Sequence, residues 1–160
     1  MPVQVAVCGL RHCTDEDRTH AYEVGRLLAR AGAVVICGGG TGVMAAAAAG
    51  ARTENGLVIG VRPNDTAEGA CPDLSAVIVT NLGEARNAVI VWSADAVIAI
   101  GGSWGTLSEI ALAKRRGGIP VITLGGWTVL AHDSSPLPDP ITPATTPHHA
   151  VDLALTAQRG

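Results

Sequence analysis

Apolar residues recur along this chain in two rhythms. The first is a short run of branched side chains, bounded by glycine or polar residues, at positions 3–8, 33–37, 57–61, 76–80, 96–100 and 119–124. Runs of this length, rich in Val and Ile, predict strands covered on both faces. The second has the helical period. Ala21, Val24, Leu28 and Ala31 share one face of a helix beginning at Asp15, and Leu107, Ile110 and Ala111 form a stripe after the fifth strand. Positions 43–51 and 84–93 and the stretch from Pro147 to about Gln158 complete the predicted helices.

Start and stop signals agree with this division. Thr14 stands where an N-cap is needed, with Asp17 three residues on and an acidic first turn. Gly32 and Gly117-Gly118 stand where helices end, and Thr146-Pro147 is a cap followed by proline at the first helical position. Pro120, at the start of the sixth run, suits an edge strand. Residues 62–75 and 131–146, polar or rich in proline, are expected as loops. Strands alternating with helices predict an α/β fold: a Rossmann-like, doubly wound parallel sheet in a single three-layer domain spanning 1–160. Ligands of such sheets sit beyond the carboxyl ends of the strands, where strand order reverses.

Composition narrows the classes. Of 160 residues, 48% are apolar and 16% charged, which excludes a disordered chain. No apolar run reaches the roughly 18 residues needed to span a bilayer, and the N-terminus enters a strand with no basic leader, so no membrane partner and a cytoplasmic location are expected. The net charge is −3 and the basic residues are scattered apart from Lys114-Arg115-Arg116. No basic face marks a nucleic-acid partner. Cys8, Cys13, Cys37 and Cys71 contain no C-x-x-C pair and are expected as free thiols. The five histidines show no metal-ligand spacing, so no metal site is expected. Trp104 is the single candidate for stacking a base.

Chemistry concentrates in glycine-rich turns that follow strands. Gly101-Gly102-Ser103-Trp104-Gly105-Thr106 lies between the fifth strand and its helix, where unpaired backbone N–H groups and the helix dipole favour an anion. A second turn, Gly38-Gly39-Gly40-Thr41-Gly42, follows the second strand, and the two together suggest a two-sided phosphate cradle. Thr106-x-x-Glu109 fits a capping box, yet Glu109 also points away from the apolar stripe and lies one turn from the proposed phosphate seat. Arg86, at a helix start, is electrostatically misplaced unless it meets an anion or a carboxylate. Gly40-x-Gly42-x-x-Ala45 loosely fits a dinucleotide fingerprint, but Arg62 stands where a ribose-binding acid belongs and no second domain brings a substrate.

Residues 101–109, GGSWGTLSE, resemble the PGGxGTxxE signature of the Lonely-guy (LOG) phosphoribohydrolases and their relatives, long labelled lysine decarboxylases. Residues 38–44 resemble that superfamily's second glycine motif, and the 23 positions separating Arg86 from Glu109 are close to the separation of its functional Arg and Glu. Ile100 replaces the leading proline, and Arg86-Asn87 replaces the Arg-Lys pair of the cytokinin-activating enzymes. These departures, the short chain and the tail helix look more like the molybdenum cofactor carrier proteins. The resemblance implies a homo-oligomer, dimer or tetramer, with no required cofactor. It implies a small phosphorylated ligand at Gly39, Gly40, Thr41, Gly42, Asn87, Gly101, Gly102, Ser103, Gly105 and Thr106, with molybdenum cofactor as a candidate ligand. Alternatively it implies an N-glycosidase acting on nucleoside 5′-monophosphates, with Arg86 and Glu109 catalytic. Lysine decarboxylation is excluded on chemistry: a pyridoxal phosphate enzyme needs a Schiff-base lysine, and the only lysine, Lys114, lies two turns into a helix beside two arginines.

Overall fold

The computed structural model describes residues 1–157. In chain order the elements are β1 (Gln4–Gly9), α1 (Asp15–Arg30), β2 (Val34–Cys37), α2 (Val43–Thr53), β3 (Val58–Arg62), β4 (Ala76–Val79), α3 (Arg86–Ser93), β5 (Ala96–Ile100), α4 (Trp104–Arg116), β6 (Val121–Leu124), β7 (Thr142–Ala144) and α5 (Pro147–Thr156). The strands form one sheet in the order β4-β3-β2-β1-β5-β6-β7, every neighbouring pair parallel. The chain winds outward from β1 to β4, returns to the middle, and winds the other way from β5 to β7. Strand order therefore reverses between β1 and β5.

Alternation along each strand divides the core in two. Val5, Val7, Val35, Ile98 and Ile100 face α1, α2 and α5. Ala6, Cys8, Ile36, Val97 and Ala99 face α3 and α4. This is the α/β, Rossmann-like architecture the pattern predicts, with β5 buried at every position.

The Ala-rich helix α2 is drawn against α1. A Cβ on Gly25 would lie 2.0 Å from the Ala47 carbonyl oxygen, and one on Gly50 would lie 1.9 Å from that of Tyr22. The two backbones approach too closely for any side chain there. The small side chains of α2 are thus spent inside this chain, with Ala47, Ala48 and Ala51 fully buried.

Three expectations change. The stretch 131–146 is not all loop: it carries β7, which takes the sheet edge in place of β6. Pro143 lies in that edge strand, where its missing N–H costs little. Pro120 precedes β6, and its carbonyl accepts from the Val97 N–H at 3.0 Å. The segment expected as a helix from Glu84 begins as a 3-10 turn, Gly83–Ala85, and becomes α-helical only at Arg86. Helix α5 runs from its Thr146 cap to Thr156; Gln158, its expected end, lies outside the described residues. Among those residues no helix is long and apolar enough to cross a membrane.

Candidate functional site

At the β1/β5 reversal the sheet opens into a cavity of about 370 Å³, within the size range of small-ligand clefts. Its walls come from the loop after β1, from Gly38 after β2, from Glu84, Arg86 and Asn87 at the start of α3, and from Ser103, Gly105, Thr106 and Glu109 on α4. The strand-end rule thus brings Arg86, Asn87, Ser103, Gly105, Thr106 and Glu109 to one cavity, while Gly39, Gly40, Thr41, Gly42, Gly101 and Gly102 do not line it.

The first turn of α4 is aimed at this space. Ser103, extended at φ −158°, ψ 167°, is the N-cap, its Oγ accepting from the Thr106 N–H at 3.0 Å. The first bond internal to the helix runs from Leu107 N–H to the Ser103 carbonyl at 2.8 Å. Helix geometry leaves the N–H groups of Trp104 and Gly105 without intrahelical acceptors. A Cβ on Gly105 would meet nothing nearer than Ser103 Oγ at 3.8 Å, so the backbone there is open. The cap is therefore one turn earlier than a Thr106/Glu109 box would place it. Thr106 spends its hydroxyl on Ser103 Oγ, 3.0 Å away, and Glu109, a full turn inside the helix, projects into the cavity instead.

Gly101 and Gly102 shape the turn and do not line the cavity. Gly101 has φ 73° beside Asp17 of α1, whose own box with Thr14 starts that helix. Gly102 packs against the Trp127 ring. Trp104 is largely exposed and meets Trp127 edge-on, ring centres 5.0 Å apart.

Arg86 is 7% exposed. Its Nη1 donates to the Gly38 carbonyl at 2.9 Å and to the Val61 carbonyl, so the ends of β2 and β3 fix the guanidinium. Its Nε is buried without a partner, and no carboxylate among the described residues lies within ion-pair distance of it. Burial lowers its pKa, opposed by the charge of Glu109. Asn87, 5% exposed, has a buried Oδ1 with no donor.

Glu109 is 9% exposed. Burial pushes its carboxyl from the ordinary 4.5 up to about 7, against the opposing pull of Arg86 and of a hydrogen bond from the Cys8 thiol. Cys8 is in turn raised well above its ordinary range by burial and by Glu109, so it stays a protonated donor. The floor of the cavity is thus a fixed cation, a carboxyl that titrates near neutrality, and a thiol.

The second glycine turn supports this floor more than it lines it. Only Gly38 borders the cavity, and a Cβ there would lie 2.6 Å from Arg86 Nη1. Gly39, at φ 67°, abuts Arg62 and Gly60, and Gly40 abuts Met44. Thr41 Oγ1 donates to the Arg11 carbonyl at 3.5 Å. Gly42, at φ 68°, comes so close to the Leu10 carbonyl that a Cβ would lie 2.2 Å from it. Together Thr41 and Gly42 hold the loop after β1. That loop supplies Leu10, Arg11 and His12, which with Val7, Cys8 and Gly9 of β1 line the wall and are not singled out from sequence as ligand contacts. The available signal is positional: a loop following the first strand of a doubly wound sheet lies at its centre, beside the reversal.

Comparison with known proteins bears on the family and the fold. Residues 2–151 match the family model described as the SLOG cluster4 family. An uncharacterized protein of Archaeoglobus fulgidus is 44% identical over 116 residues, 72% of this chain and 76% of that protein. The fold superposes on the molybdenum cofactor binding protein of the phototrophic bacterium Rippkaea orientalis with a TM-score of 0.88 and 35% identity, over 98% of this chain and 97% of that one. It superposes on the molybdenum cofactor carrier protein of Chlamydomonas reinhardtii with a TM-score of 0.83 and 26% identity, over 100% of both chains.

Proposed function

The chain belongs to the SLOG cluster4 family, and on that premise we propose that it binds a phosphate-bearing, nucleotide-like ligand in the β1/β5 cavity, with molybdenum cofactor, a pterin carrying a phosphate, as the candidate to test first. The observation that carries this reading is Arg86. A guanidinium that is buried, held by two carbonyls and lacking a carboxylate partner is expensive to keep. An anion in the cavity supplies the missing partner. The open N–H groups of Trp104 and Gly105 supply donors and dipole for the same anion. The cofactor suits these residues: Arg86 and the first turn of α4 would hold its phosphate, and the unpartnered Asn87 Oδ1 would accept from its ring. Likeness to molybdenum cofactor binding and carrier proteins along the whole chain supports the same assignment. If the protein self-associates, the exposed Trp92 face of α3 is the surface we assign to the contact, since α2 is committed to α1.

One observation favours a second reading, cleavage of the N-glycosidic bond of nucleoside 5′-monophosphates. Glu109 is a buried carboxyl poised near neutral pH beside an anion seat. A carboxylate there could stabilise positive charge developing on ribose and orient water, while Arg86 orients the substrate. Purified protein incubated with AMP and other nucleoside monophosphates, and followed by mass spectrometry and calorimetry, separates the two. Stoichiometric binding without base release supports the binding protein. Release of free base and ribose 5-phosphate, lost in Glu109→Gln, supports the hydrolase and overturns the first reading.

A further inference from the structure

Two acceptors stand in the cavity with no donor assigned to them by the anion seat. Asn87 Oδ1 is buried and unpartnered, on a residue 5% exposed that lines the wall. A buried acceptor without a partner forfeits its hydration, so a site that holds one selects for whatever restores the bond. Glu109 is the second. Its carboxylate receives the Cys8 thiol, and a carboxylate has further acceptor sites. Arg86 acts on Glu109 through its charge, but its Nη1 hydrogen bonds go to the Gly38 and Val61 carbonyls and not to Asn87 or Glu109. Near Asn87 and Glu109 the cavity therefore asks for hydrogen-bond donors, while at Gly105 it asks for a negative charge.

We propose that Asn87 and Glu109 form a ring-reading edge that takes the adjacent donors of a 2-amino-4-oxopyrimidine, a ring N–H beside an exocyclic amino group, as carried by guanine and by pterins. Two parallel N–H donors match the two oxygens of a carboxylate, and a remaining amino hydrogen goes to Asn87 Oδ1. Adenine presents a ring acceptor at the corresponding position. Above about pH 8, where Glu109 is ionised, that lone pair would face carboxylate or amide oxygen, which leaves both unsatisfied and repelling. Hypoxanthine keeps the ring N–H and lacks the amino group, so it makes part of the set. Rejection of a ligand that cannot complete buried hydrogen bonds is stronger than rejection by shape alone. This assignment rests on the anion-binding reading and adds the identity of the ring to it.

The test is calorimetric titration of the full chain at about pH 8.5, above the Glu109 pKa of about 7, with GMP, IMP, AMP and inorganic phosphate, in the wild-type protein and in Asn87→Leu. GMP is expected to bind roughly a hundredfold tighter than IMP, which lacks both bonds of the amino group, and IMP tighter than AMP, one bond being worth about a factor of ten. Asn87→Leu should bring GMP down about tenfold and leave inorganic phosphate unchanged. Equal binding of GMP and AMP, a preference for AMP, or an equal loss of every ligand in the variant overturns the ring assignment and leaves the anion seat standing. If neither phosphate nor any monophosphate binds, the anion seat and the ring edge fall together. The ligand series on unaltered protein decides the matter even if the variant folds poorly.

Discussion

Glu109→Gln isolates the cost of holding a carboxylate in this cavity. The folded-state pKa is raised from 4.5 to about 7, with burial as the largest cause. Between those values the folded chain binds a proton that the unfolded chain has released. The stability associated with neutral Glu109 is therefore fully present below about pH 4.5 and is lost as pH rises through about 7. At roughly 1.4 kcal/mol per pKa unit, the loss above pH 8 is about 3 kcal/mol. Other groups acting on this carboxyl are the charges of Arg86 on α3 and of Glu84 in the turn before it, and the hydrogen bond from the neutral Cys8 thiol on β1, and all three groups remain in the variant. Gln cannot ionise, so the variant should avoid the high-pH loss. Urea denaturation from pH 5 to 8.5 is the assay. Wild type and variant should lie close together at pH 5, and the variant should be more stable at pH 8.5 by about 2–3 kcal/mol, about 6–10 °C in melting temperature for a chain of this size. Identical pH dependence in the two proteins, or a variant less stable at pH 8.5, would refute the placement of Glu109 in a desolvated wall.

Two other perturbations probe the frame of the site. Arg86→Gln should abolish binding of phosphate and of any monophosphate by calorimetry, and it should cost about 1–3 kcal/mol in denaturation because the Gly38 and Val61 carbonyls lose a charged donor; unchanged phosphate affinity would remove Arg86 from the seat. Gly50→Ala should destabilise by more than about 1 kcal/mol, since its Cβ would lie 1.9 Å from the Tyr22 carbonyl oxygen; a neutral result in thermal melts would contradict the close α1–α2 packing.

Strand and helix order can be read from the sequence because most elements announce themselves twice, by period and by punctuation. Thr14, Asp17 and Gly32 mark α1, and the uninterrupted 96–100 run marks a central strand. β7 gives no such signal. Thr142-Pro143-Ala144 is too short for a period and contains the residue that argues against a strand, yet an edge position makes that proline harmless. The same reasoning puts β6 at the edge on the strength of Pro120, which the chain places just before the strand. At the site, Arg86 is visible as a cation at the wrong end of a helix, and Gly105 as an open backbone. Glu109 is ambiguous because Thr106-x-x-Glu109 and Ser103-x-x-Thr106 overlap as caps, and sequence alone does not say which one the chain uses. Ser103 wins, and that choice frees the carboxylate. Cys8, Arg11 and His12 carry no motif, and only the crossing from β4 back to β5 brings their loop to the reversal. By composition, residues 39–42 look like ligand contacts; in the fold they pack on Arg62, Met44 and the β1 loop.

The central claim is that the first turn of α4 and Arg86 grip an anion. The most direct measurement is a nitrogen-15 NMR titration of the full chain with inorganic phosphate and then GMP. Saturable shifts are expected at the backbone amides of Trp104 and Gly105 and at Arg86 Nε. Saturation with those signals unmoved, or shifts confined to another part of the fold, would contradict the claim.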